Sequence, residues 1–125
     1  MKLEFLVHIN EFEEHAIRLS DFNSAQARQF RNIIDGFIAD HSEAIEIADL
    51  DFIEAVNCRL LLRTSEEDFG IRTNDVSQFY CDLTLDTYKN MSRLLEPFGR
   101  KESKGYEWLY DLDIPIGLLF SAGSM

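Results

Sequence analysis

With 125 residues, 46% of them hydrophobic and ten of them phenylalanine, the chain has the size of one domain and is too apolar and aromatic to be disordered. Its longest apolar runs fall far short of the roughly 20 residues that cross a bilayer. A net charge of −11, from 23 acidic and 12 basic residues, argues against a nucleic-acid binder and against docking on an anionic membrane, because both need cations; it suits a basic partner, or solubility alone.

The N-terminus, MKLEFLVHIN, alternates. Leu3, Phe5, Val7 and Ile9 share one face, with Glu4, His8 and Asn10 on the other and Leu6 as an apolar exception. With Glu4 inside it, the stretch reads as a strand rather than a signal peptide, so a cytoplasmic protein is expected. Asn10 to Glu14 suits a turn, although Phe12 interrupts it. Ile17 and Leu19 mark a second short strand ending at Ser20, and the two strands form a hairpin.

A first helix starts between Asp21 and Ala25, with Ser20, Asn23 and Ser24 as candidate caps. Its apolar stripe is Ala27, Phe30, Ile33, Ile34, Phe37 and Ile38, and His41 falls at its C-terminal end. A third strand is expected over residues 44–52. Its inward parity changes between Ile45/Ile47 and Leu50/Phe52, which calls for a bulge or bend near Asp49. A fourth strand, 57–64, points Cys58, Leu60 and Leu62 inward and places Arg59 and Arg63 outward. Residues 65–75 read as a polar connection.

Gln78 to Phe98 is the most strongly patterned stretch. Phe79, Cys81 and Leu83 alternate with Gln78, Tyr80 and Asp82, as in a half-buried strand. Thr84 then caps a helix, Asp86 suits its positive end, and Tyr88, Met91, Leu94, Leu95 and Phe98 form the inward stripe. Pro97 and Gly99 stop it. After a charged loop, Trp108, Tyr110 and Leu112 alternate on a sixth strand. Pro115 breaks that strand or lies at an edge. Residues 116–120 supply a short seventh strand, and Ser121 to Met125 a tail.

The halves match at several points. Leu19-Ser20 corresponds to Leu83-Thr84, residues 33–37 to 94–98, and Asp49-Leu50-Asp51-Phe52 to Asp111-Leu112-Asp113-Ile114. The fold expected is α+β and two-layered: one antiparallel sheet of six or seven strands with both helices on one face. It is a single domain over 1–125, built from two ββαβ pseudo-repeats, about 1–56 and 57–120, with exchanged arrangements of the halves left open.

Cys58 and Cys81 form no metal motif and read as buried, reduced thiols, nearly opposite each other if their strands make a hairpin. Asp49 and Asp51, with Asp111 and Asp113, converge only if the halves pack about a pseudo-two-fold axis; four carboxylates would then suit a hard divalent cation. Otherwise they are solvated strand faces. Glu66, Glu67 and Asp68 lack the ligand alternation of a calcium loop. His8 and His15 have no nucleophile placed beside them, and Asn90-Met91-Ser92 is a glycosylation pattern inside a helix. No catalytic residues, metal ligands or cofactor emerge.

Three functional expectations follow. The first is a non-enzymatic acidic protein-binding module acting on a basic partner, in the manner of small inhibitors and bacterial immunity proteins, an analogy of character only. Asp49, Asp51, Glu66, Glu67, Asp68, Asp111 and Asp113 would steer the encounter, and Trp108 or Tyr110 would anchor it. The second is an enzyme dependent on a small ligand or divalent metal, with its site between the repeats. The third is a structural subunit that forms a homodimer through a strand edge or the apolar C-terminal run.

Overall fold

The computed structural model describes residues 1–7, 15–40, 44–75, 77–102, 104–110 and 116–122. His8, the turn at 10–14, His41, Asp111, Asp113, Pro115 and the end of the tail lie outside these.

A hairpin of β1 (Lys2–Leu6) and β2 (His15–Ser20) opens the chain, with Glu4 opposite Arg18. These two side chains form an ion pair on the face turned away from the core. Helix α1 (Ser24–Ala39) follows. Ser20 still belongs to β2, so Asn23 takes the cap. Its side chain accepts the Gln26 N–H at 2.8 Å, and the Gln26 side chain accepts the Asn23 N–H at 3.2 Å, a reciprocal capping box. Next come β3 (Ala44–Glu46), a 3-10 turn (Ile47–Asp49), β4 (Glu54–Ala55) and β5 (Arg59–Thr64). The third strand expected over 44–52 is therefore cut short. Ile47 is buried at the start of the turn, and the 3-10 winding absorbs the change of parity.

Residues expected to form a polar connection contain β6 (Gly70–Asp75), paired antiparallel with β7 (Gln78–Leu83). Only Ile71 sends a large apolar side chain inward, because β6 is an edge strand. Helix α2 (Leu85–Arg100) begins at Thr84, whose hydroxyl accepts the Thr87 N–H. The helix continues through Pro97 instead of stopping there. Its last turn is held by Phe98, whose ring meets Phe120 at 5.0 Å and Phe22 at 6.0 Å. Gly99 lets the helices approach: a Cβ there would come within 2.7 Å of Arg28 Cγ. The Arg28 guanidinium donates to the Gly99 carbonyl at 2.6 Å.

β8 (Tyr106–Tyr110) and β9 (Ile116–Ser121) complete the fold. The expected single antiparallel sheet is replaced by two mixed sheets, ordered β4-β1-β2-β9-β8 and β3-β5-β7-β6. In each, the strand entering a helix pairs in parallel with a strand from the other part of the chain: β2 with β9, and β7 with β5. Those partners pair antiparallel with β8 and β3 respectively. Local alternation encodes the hairpins; it carries no record of a parallel pair joining Ala16 to Gly117.

One core unites both sheets and both helices. Phe5 of β1 meets Phe79 of β7 at 4.6 Å, Phe30 of α1 lies 5.9 Å from Phe120, and Phe37 meets Tyr88 edge-on at 5.2 Å. The Tyr88 hydroxyl lies 2.8 Å from the Arg63 carbonyl and 2.9 Å from that of Cys81, tying α2 to β5 and β7. Cys58 and Cys81 are both buried and free, but they are not opposite each other. In the parallel β5–β7 pair Cys81 faces Leu62, which puts Cys58 four residues away along the strand, about 13 Å at strand rise.

Candidate functional site: a groove between the second helix and an edge strand

Asp86, Asn90 and Leu94 recur at a spacing of four and form one stripe along α2. This stripe, with Thr87, makes one wall of a groove of about 380 Å³; Trp108, Leu109 and Tyr110 of β8 make the other. Leu94, expected in the core, is only partly buried at the rim of the stripe, while Leu95 is fully buried. Trp108 and Tyr110, expected on one face, point to opposite faces. A bulge pairs Trp108 with Leu119 and Tyr110 with Leu118. The Trp108 ring lies against Gly117, where an added Cβ would fall 2.7 Å from Cζ3. The register Glu4–Arg18–Leu119–Trp108 puts the Trp108 ring on the face turned away from the core, so Trp108 reaches the groove along the strand rather than with its ring, whereas Tyr110 turns toward the core.

Arg93 donates through Nη2 to the Asn90 side-chain oxygen at 2.6 Å, which leaves the amide NH₂ as the donor available to a ligand. Asp86 is exposed and, among the described residues, forms no ion pair. No cation stands among the lining residues. Behind the stripe, Asp68 accepts the Thr84 N–H at 2.8 Å and the Thr87 hydroxyl at 2.7 Å. Partial burial raises the Asp68 carboxyl, but these hydrogen bonds outweigh it and hold the group below the usual carboxylate range. Asp68 therefore fastens the connection carrying Glu66 and Glu67 to the start of α2.

Asp49 and Asp51 lie elsewhere. They leave the expected strand for the 3-10 turn and the bend after it, and they line a second groove, of about 420 Å³, with Gln29, Asn32, Ile33, Leu50 and Phe52. Asp49 is already engaged by Arg59 at 2.5 Å, and Glu46 takes the same guanidinium at 3.2 Å. The two grooves use corresponding helix positions: Gln29 and Ile33 stand six and ten residues beyond the Asn23 cap, Asn90 and Leu94 six and ten beyond Thr84. Of the expected partner-binding residues, Trp108 borders the α2 groove and Asp68 adjoins it, Asp49 and Asp51 line the α1 groove, Glu66 and Glu67 are exposed, and Asp111 and Asp113 lie outside the described residues.

Among the described residues no three His, Cys, Asp or Glu side chains gather as metal ligands. The His15 ring packs on Phe5 at 5.8 Å. Asn90 lies inside α2 with its side-chain oxygen held by Arg93, and Ser92 accepts from Arg31 of α1 at 3.1 Å. No described helix is long and apolar enough to cross a membrane. Comparison with protein-family models, with curated proteins and with solved structures finds no match.

The α2 stripe escaped the sequence reading because each member has an adequate local explanation. Asp86 suits a helix start, Asn90 an exposed face, and Leu94 a core stripe. The spacing of four was visible; the neighbouring edge strand was not.

Proposed function

We propose that the chain is a non-enzymatic protein-binding module that takes a basic segment of a partner in the groove between α2 and β8. One observation carries this reading: the exposed carboxylate of Asp86, which forms no ion pair among the described residues, lines one groove with the partly buried Leu94 and the edges of Leu109 and Tyr110, and the one cation bonded at its wall, Arg93, is held by the Asn90 side-chain oxygen. Such a surface favours an arginine or lysine flanked by an apolar side chain. The net charge of −11 then accelerates encounter with a cationic surface, and the Glu66–Asp68 connection adds to the local field beside Thr87. An inhibitor that masks a basic surface is one form such a module takes.

The pairing pattern supports a finer reading of the architecture. Two ββαββ units, about 1–64 and 70–122, exchange their last strands, so that each sheet holds the first hairpin of one unit and the final pair of the other. The corresponding helix positions of the two grooves fit that duplication. Free, buried thiols at Cys58 and Cys81 agree with a cytoplasmic setting.

Trp108 is the single tryptophan and stands on β8, the strand that walls the groove, so its fluorescence reports on docking against that strand. Titration with a capped, arginine-containing peptide should change that emission, and added salt should weaken the response. Asp86→Asn should weaken binding about two- to fivefold, the worth of one exposed ion pair. Equal binding by wild type and variant at low salt would count against the groove.

A further inference from the structure

β8 ends the five-stranded sheet, and its outer edge runs beside the groove. The Ala122 N–H donates to the Gly105 carbonyl at 3.0 Å, so Gly105 faces β9. Antiparallel alternation makes Glu107 face β9 too and turns the N–H and C=O of Tyr106 and Trp108 the other way. Among the described residues no strand lies on that side. Tyr106 is 60% exposed. Two residues thus offer four backbone hydrogen-bonding groups on one strand edge: those of Trp108 on the groove wall opposite the Asp86–Asn90–Leu94 stripe, and those of Tyr106 two residues further along the same edge.

We propose that the partner docks as an added strand on β8, an inference that rests on the binding reading above. Main-chain pairing to Tyr106 and Trp108 supplies affinity, and alternate side chains reach the α2 stripe for selectivity. The bulge after Trp108 limits regular pairing to this short stretch. Asp86 and Leu94 are eight residues apart, about 12 Å along a helix, and four strand residues span about 13 Å. The occupant is therefore an extended segment with a cation and an apolar side chain four residues apart and a carbonyl-bearing side chain between them, opposite the Asn90 amide. Strand addition by a second copy of this chain is opposed by its own charge of −11.

The probes are capped heptapeptides of sequence TRTQTLT and its reverse, TLTQTRT, since strand direction is open. Each is also made in two N-methylated forms, one methylated at the threonines and one at the intervening residues. Binding to the full chain is followed by the amide signals of α2 and β8 and by hydrogen exchange. Strand addition predicts that the better-binding peptide slows exchange at Tyr106 and Trp108, and that one methylated form loses affinity about tenfold while the other keeps it, because only one set of N–H groups faces β8. Equal binding by both methylated forms, with Asp86, Asn90 and Leu94 still shifting, overturns strand addition and leaves the groove reading intact. No shift along α2 with either peptide overturns both.

Discussion

Asp82 is buried on the face of its sheet turned away from the helices, yet it is fully partnered. Arg63 donates to both carboxylate oxygens, at 2.7 and 2.8 Å, and Arg72 adds a third contact at 2.9 Å. The two guanidiniums in turn lie over Tyr80 and Phe69. Burial raises the Asp82 carboxyl, but the arginine hydrogen bonds and charges prevail and hold it below its ordinary value of 3.8. A carboxyl depressed in the native state stabilises fully above that ordinary value, and the contribution disappears as pH falls through the lower native one. Asp82→Asn should therefore cost about 1.5–3 kcal/mol at neutral pH, the usual worth of charge-assisted hydrogen bonds. The gap between wild type and variant should shrink between about pH 5 and pH 2. Urea unfolding at both ends of that range measures it, and a gap that stays constant would refute the assignment. The thiols behave oppositely: burial, first of all, pushes Cys58 up to about 11 and Cys81 up to about 12. Both should resist a thiol reagent at pH 8 until denaturant is added; fast labelling of the native protein would contradict their burial.

At the scale of elements, the helices were legible because their signals are local. Thr84 capped α2 as expected, and Tyr88, Met91, Leu95 and Phe98 are buried at helical spacing. Asn23 was one of three candidates for the α1 cap, and only the extent of β2 decides among them. Asn23→Ala should cost about 1 kcal/mol and Asn23→Gly a few tenths. Equal stability of the alanine variant and wild type in thermal unfolding would mean that the capping box contributes nothing. Leu94 and Leu95 are indistinguishable by pattern but not by position. Leu95→Ala should cost about 2–5 kcal/mol. Leu94→Ala should cost about 1 kcal/mol, in proportion to its partial burial. Reversal of that order would place the groove on the wrong face of α2. β6 was illegible because an edge strand needs only one inward apolar residue, Ile71, and its polar remainder looks like a connection. The groove was illegible for a different reason: β8 meets α2 only through the folding of the whole chain.

At the scale of the molecule, the β2–β9 pair joins strands about a hundred residues apart in the chain, with His15 opposite Ile116 and Ser20 opposite Ser121. No local motif announces that pairing, so the two sheets read as one from the sequence. Charge was legible in amount but not in place. Arg28, Arg31, Lys89, Arg93 and Arg100 stand on the helices, which leaves the acidic excess on strands and connections. The expected convergence of the four aspartates cannot organise the α2 groove, since Asp49 and Asp51 belong to the α1 groove. The most direct test of the central claim is an amide-resolved titration of the whole chain with the capped heptapeptides TRTQTLT and TLTQTRT beside TETQTLT, its charge-reversed control. The account predicts that shifts from at least one arginine peptide concentrate at Asp86, Thr87, Asn90, Leu94 and Tyr106–Tyr110, weaken with salt, and are absent with the glutamate peptide. Shifts centred on another surface, or equal shifts with arginine and glutamate peptides, would contradict it.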